Sequence, residues 1–173
     1  MFLISYLISL IVWIQVKDYY GRGITFAVSH LITVVKDVNF EEMTQEGNII
    51  QATFSPQRYG SNILIDIPVK TSSYTFNAPL TFAIMAALYF FMRRRSRAYV
   101  EALLILLLVH FLYVFSLEAK ELTAVLIDRG LEPSSTPRTI IYQFMWSFTD
   151  NMVIRFEPFL IGFYMFTRFR VKD

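Results

Sequence analysis

His110, Arg155 and Glu157 are the residues of this chain whose types could do chemistry together. All three lie in long apolar stretches, where a polar group is expensive and signals either function or helix pairing. Counted inward from Arg97, His110 lies about 13 residues deep in one stretch. In a later stretch Arg155 falls at nearly the same depth, with Glu157 half a turn below it, while Asp150 and Asn151 lie closer to the opposite face. Asn151 and Arg155 are four apart and share a helix face; Glu157 points elsewhere unless Pro158 bends the helix. A buried His110–Arg155–Glu157 cluster would move protons or hold an anionic ligand. The plainer reading, preferred here, is an ion pair that neutralises itself and fixes the packing of two helices.

Other chemistries find little support. The chain has no cysteine, which excludes disulfides, thiolate metal sites and a cysteine nucleophile. His30 and His110 sit on different elements without a metal-ligand spacing, so no metal is expected, and no cofactor either. No G-x-S-x-G or phosphate-loop motif occurs, and Ser116 is not adjacent to His110 on a helix. A formal net charge of +2 argues against nucleic acid, which needs a concentrated basic face. Asp150 and Glu118 remain as candidate acids for an enzyme working at the outer face. Glu101, one turn from Arg97, is expected to pair with nearby basic residues or to snorkel.

The elements that must position these residues are membrane helices. The chain is 55% hydrophobic with a mean hydropathy of +0.45. Phe76–Met92, Ala98–Leu117 and Phe148–Thr167 are long and apolar enough to cross a bilayer. Met1–Val16 is a shorter fourth span, read as a retained signal anchor because no basic leader or small-residue cleavage site accompanies it. Arg93, Arg94, Arg95 and Arg97 punctuate the first long span, and Arg168, Arg170 and Lys172 the last. By the bias of basic residues toward the cytoplasm, both termini and the Arg93–Arg97 turn lie inside, with residues 18–75 and 118–144 outside. The chain thus divides into an anchor (1–17), an outer element (18–75) and a three-helix bundle (76–173).

In the outer element, Ile24, Ala27, Val28, Leu31, Val35 and Val38 recur at helical spacing. That helix either lies on the membrane surface or packs on the strands that follow. Val38–Thr44 and Ile49–Phe54 flank the turn signal Glu46-Gly47-Asn48 and form a hairpin, and Ile63–Val69 alternates as a third strand after the turn-rich Pro56–Asn62. Such a sheet needs a cover, which the helix supplies. Beyond the second long span the helical pattern runs on to about Arg129, with Gly130 as its cap. Thr136-Pro137 starts the next helix, so the last two helices rise as an antiparallel pair. The fold class is therefore membrane α-helical, with four transmembrane helices and a small extracytoplasmic α+β element.

Tyr74-Thr75-Phe76-Asn77-Ala78-Pro79-Leu80 leads from the strands into a span that ends in arginines. With the order of elements around it, this segment resembles the exosortase H-associated membrane proteins, small bacterial proteins that accompany an exosortase. The resemblance implies a bacterial inner membrane and a role beside an enzyme that processes secreted proteins with a C-terminal sorting tail. An exosortase resembles a cysteine transpeptidase or protease, so a chain without cysteine is a companion and not that enzyme. The expected function is a non-enzymatic accessory or scaffold subunit of a cell-envelope complex. Its partners would be the lipid bilayer and other membrane proteins, met through the outer element and the bundle. The alternatives are a small transport or ion-coupling subunit using the intramembrane cluster, and a membrane enzyme at the outer face.

Overall fold

The structure, a computed structural model, describes residues 2–57, 63–92, 95–133 and 137–170. Arg93, Arg94, Thr136 and Lys172 fall outside the described residues, as do residues 58–62 of the turn-rich segment and the side chain of Arg95.

Helix α1 runs unbroken over Phe2–Val35 for 34 residues. The expected anchor and outer helix are thus one element. Lys17 and Asp18 end the apolar run, but a charged pair does not end a helix, and no proline interrupts the segment. A glycine at position 21 is required by packing, because a methyl there would sit 2.5 Å from Thr71 Cγ2.

Strands β1 (Val38–Glu46), β2 (Ile49–Pro56) and β3 (Ile65–Lys70) form an antiparallel sheet in the order β1-β2-β3. Glu46 pairs with Ile49, leaving a two-residue loop. Gly47 sits there at φ 60, the left-handed region that such hairpin turns require. The register slips between Phe40 and Glu42, so Glu41 is an extra, bulged residue, and its carboxylate accepts the Ser55 hydroxyl. Pro68 is tolerated because β3 is an edge strand. Ala52, Phe54, Ile65, Ile67 and Val69 turn inward and are buried with Val28 and Ile32 of α1. Of the two readings of the outer helix, the packed one holds.

After the short helix α2 (Thr71–Thr75) comes α3 (Ala78–Leu88), with Pro79 in its first turn and a 3-10 turn, Tyr89–Phe91, at its end. Helix α4 (Arg95–Asp128) is again 34 residues long. It ends in two backbone bonds, Gly130 N–H to Ile127 O at 2.9 Å and Leu131 N–H to Leu126 O at 2.8 Å. With Gly130 at φ 70 this is a Schellman cap, and Leu126 and Leu131 pack in the same core. Helix α5 (Pro137–Phe148) returns along α4; a π-helical turn (Thr149–Val153) then leads into α6 (Ile154–Phe169).

Among the described residues three segments are long and apolar enough to cross a membrane, Phe2–Val35, Thr71–Phe91 and Ser96–Asp128; the expected span Phe148–Thr167 is not one of them. Helix α6, at 16 residues, joins them in the bundle, packing on α3 and α4. Between these helices small residues allow close approach, as expected where lipid supplies no hydrophobic drive. Ala83, Ala98 and Ala102 are fully buried, and a methyl on Gly162 would lie 2.7 Å from Ile84 Cγ2.

Candidate functional site: a buried polar line between the helices

Proline at 158 dictates the local structure from which the site is built. It has no N–H to give to the carbonyl four residues earlier, so Ile154 O loses its helical partner. A bare carbonyl is costly inside an apolar bundle. Asn77, at the head of α3, donates its Nδ2 to Ile154 O at 2.6 Å. The polar member of the Tyr74–Leu80 segment therefore completes the backbone of α6.

The π turn sets which side of α6 faces inward. Thr149 and Ile154 are buried in succession, a step of five residues where an ordinary helix would step three or four. After it, Glu157, Ile161, Met165 and Phe169 continue the buried row. Asn151 donates its side-chain amide to Ser147 O at 2.9 Å and is itself exposed.

Glu157 thereby meets His110. His110 Nε2 lies 2.9 Å from Glu157 Oε2, and both side chains are fully buried. Tyr20 of α1 lies 2.7 Å from His110 Nδ1, and Thr81 of α3 donates to Glu157 Oε1 at 3.1 Å. The rings of Tyr20 and Tyr74 stand edge-on to the imidazole at 5.6 and 5.4 Å. One polar line thus draws on α1, α3, α4 and α6.

The 2.9 Å contact joins two ionisable groups, and the ring nitrogen that carries the proton decides whether Tyr20 Oη accepts from Nδ1 or donates to it. Such a contact can fix helix packing, and it can also pass a proton.

Arg155 does not join the pair. It lies on the exposed side of α6, because the π turn advances the helix so that Glu157, and not Arg155, faces α4. Asp150 is half-buried, beside the Tyr113 hydroxyl. Glu118 is completely buried and accepts the Ser29 hydroxyl at 3.0 and 3.2 Å, so it is not open to an outer face, and no described contact joins it to Asp150. His30 is exposed and bonds Phe26 O at 3.0 Å. Glu101 does gather basic residues: Arg97 at 2.8 Å and Arg168 at 3.4 Å, with the Tyr164 hydroxyl at 2.5 Å. Arg170 caps the far end of α6, and its neighbourhood bridges to Met92. Among the described residues no group of three or more His, Asp or Glu could hold a metal ion.

Tyr20, Thr81 and Asn77 were not readable as partners from spacing alone. The one available signal was Pro158, since a proline inside a span implies an unmet carbonyl and hence a donor on a neighbouring helix.

A bundle of long apolar helices, crossed by a polar line and carrying a small sheet at one end, is an integral membrane protein. The family model of the exosortase H-associated membrane proteins matches residues 1–169, and the chain belongs to that family. No curated protein and no solved structure matches it.

Proposed function

We propose that this chain is a non-enzymatic accessory subunit that holds an exosortase, or the complex around it, in a bacterial inner membrane. The family match over residues 1–169 carries this reading. The chain lacks the cysteine that an exosortase resembles its relatives in using. It would cross the membrane four times, α6 with the π turn being the fourth span, with Arg97 and Arg168 at the cytoplasmic boundary and the sheet outside. Reckoned from Arg97, about 30 Å of hydrocarbon ends near Leu117. The rest of α4, with α5 beside it, then stands clear of the lipid, and so does the sheet, because α1 reaches that boundary near Ser29, which meets Glu118. There α5 turns Ile140, Ile141 and Phe144 outward, a surface suited to a protein neighbour. The experiment is purification of the tagged chain in mild detergent: an exosortase is expected to accompany it, and a stable monomer with nothing bound sinks the proposal.

The Tyr20–His110–Glu157–Thr81 line favours one second reading, a proton- or ion-coupling subunit. Glu157→Gln separates the two. Loss of proton coupling with assembly intact supports coupling; loss of assembly or stability makes the pair a packing device.

A further inference from the structure

A cleft of about 300 Å³ opens at the sheet end, between the α1–β1 junction, the Schellman cap of α4 and the start of α5. Its lining includes the side chains of Val35, Val38, Pro56, Leu126, Leu131 and Tyr142, although more of the exposed lining is polar than apolar. Its lining carries two cations, Lys36 and Arg138, and two carboxylates, Asp37 and Glu132. These charges are not placed symmetrically. The Lys36 side chain is only 6% exposed, whereas Glu132 is 35% exposed. Lys36 Nζ lies 3.5 and 3.4 Å from the two Glu132 oxygens, long for charge-assisted bonds, and 5.2 Å from the centre of the Tyr142 ring. The buried charge is therefore a cation with long contacts to a carboxylate nearer the rim.

We propose that this cleft binds the C-terminal carboxylate of an apolar peptide, the carboxylate replacing Glu132 at Lys36 and the peptide's last side chains lying along the apolar side chains of the lining. An ion pair formed on the desolvated floor is stronger than one at the wet rim, which favours an anion at Lys36 over an amine at the exposed acids. The volume is at the lower limit of small-ligand sites, too little for a folded partner and enough for a chain end. Leu126 lies nine residues beyond Leu117 on α4, about 14 Å past the hydrocarbon and outside the headgroup layer, so a lipid anchored in the bilayer does not reach it. Burial lowers the Lys36 pKa, Glu132 opposes this, and Arg138 lowers it further; a carboxylate that replaces Glu132 takes over its opposing part.

The depth rests on the four-span arrangement; the binding itself is independent of the exosortase, and its failure leaves co-purification untouched. The test titrates the full chain in lipid nanodiscs with N-acetyl-Val-Leu as the free acid, with its C-terminal amide, and with decanoate, followed by calorimetry. The free acid is expected to bind about tenfold or more tightly than the amide, the worth of one charge-assisted bond. Glu132→Gln should tighten the acid by removing its competitor, and Lys36→Met should erase the difference between acid and amide. Equal binding of acid and amide overturns the proposal, as does a lack of binding to both the parent chain and Glu132→Gln. Decanoate binding as well as the peptide would make this a lipid site and overturn the peptide assignment.

Discussion

Asn77 illustrates how much a single side chain can carry in an apolar setting. Its bond to Ile154 O replaces the one that Pro158 removes, so Asn77→Ala leaves a buried carbonyl with no partner. The expected cost is about 1–3 kcal/mol, measurable as a lower midpoint in denaturant or heat unfolding in detergent. Pro158→Ala restores an N–H to that carbonyl, so Asn77→Ala should cost much less in that background; an equal cost would disprove the link. Lys36 makes a prediction about pH. Its folded pKa lies below the ordinary lysine value, chiefly through burial. The protonated form is therefore the one that folding penalises. Stability gained from Lys36 is present above the unfolded pKa and is lost as pH falls through the lowered folded pKa. The difference in unfolding free energy between the parent chain and Lys36→Met should thus move in favour of the parent as pH is raised through the alkaline range. A flat difference across that range would rule this out.

At the scale of elements, the pattern of apolar residues announced the long helices, the hairpin and the α4 cap, because each follows from chain-local rules: helical or alternating spacing, Gly47 in a tight turn, Gly130 after the last turn. Two features were not legible. The continuity of α1 past Lys17 and Asp18 depends on tertiary packing on the sheet and α2, which extends a helix where composition suggests a stop. The phase of α6 depends on one extra residue in the π turn. A straight helical projection puts Arg155 and Asn151 on a shared face and sends Glu157 elsewhere; both of the former are exposed and Glu157 is buried, but the projection does not say which of the two sides faces the bundle. Close approach is also invisible to pattern reading. Gly21 is buried against Thr71, and Gly21→Ala is expected to destabilise by about 1–3 kcal/mol through overpacking. Adding Thr71→Ser removes the Cγ2 methyl that lies in the way and should recover much of the loss in a double-mutant cycle. Additive effects would show that the two helices do not touch as described.

For the whole molecule, the central prediction concerns sidedness. The chain has no cysteine, so single cysteines report without background. Glu42 on β1 and Ser96 at the start of α4 are both exposed and sit at opposite ends of the bundle. With four spans, Glu42→Cys should react with a membrane-impermeant maleimide on intact cells, and Ser96→Cys only after permeabilisation. Labelling of both from outside, or of Ser96→Cys alone, would overturn the arrangement and the role derived from it. The membrane class and the family were readable from the sequence because both rest on long-range composition and element order. The polar line was only half readable, since the line depends on four helices meeting, and residue types near mid-span say which groups need partners without saying which partners they find.

The unbroken course of α1 has a mechanical consequence. Thirty-four residues of helix make a stiff lever about 51 Å long. A tilt of about 10°, such as a change in bilayer thickness imposes, swings its far end by roughly 9 Å. The sheet rides on that end, so the orientation of the sheet is geared to the lipid around the rest of the helix.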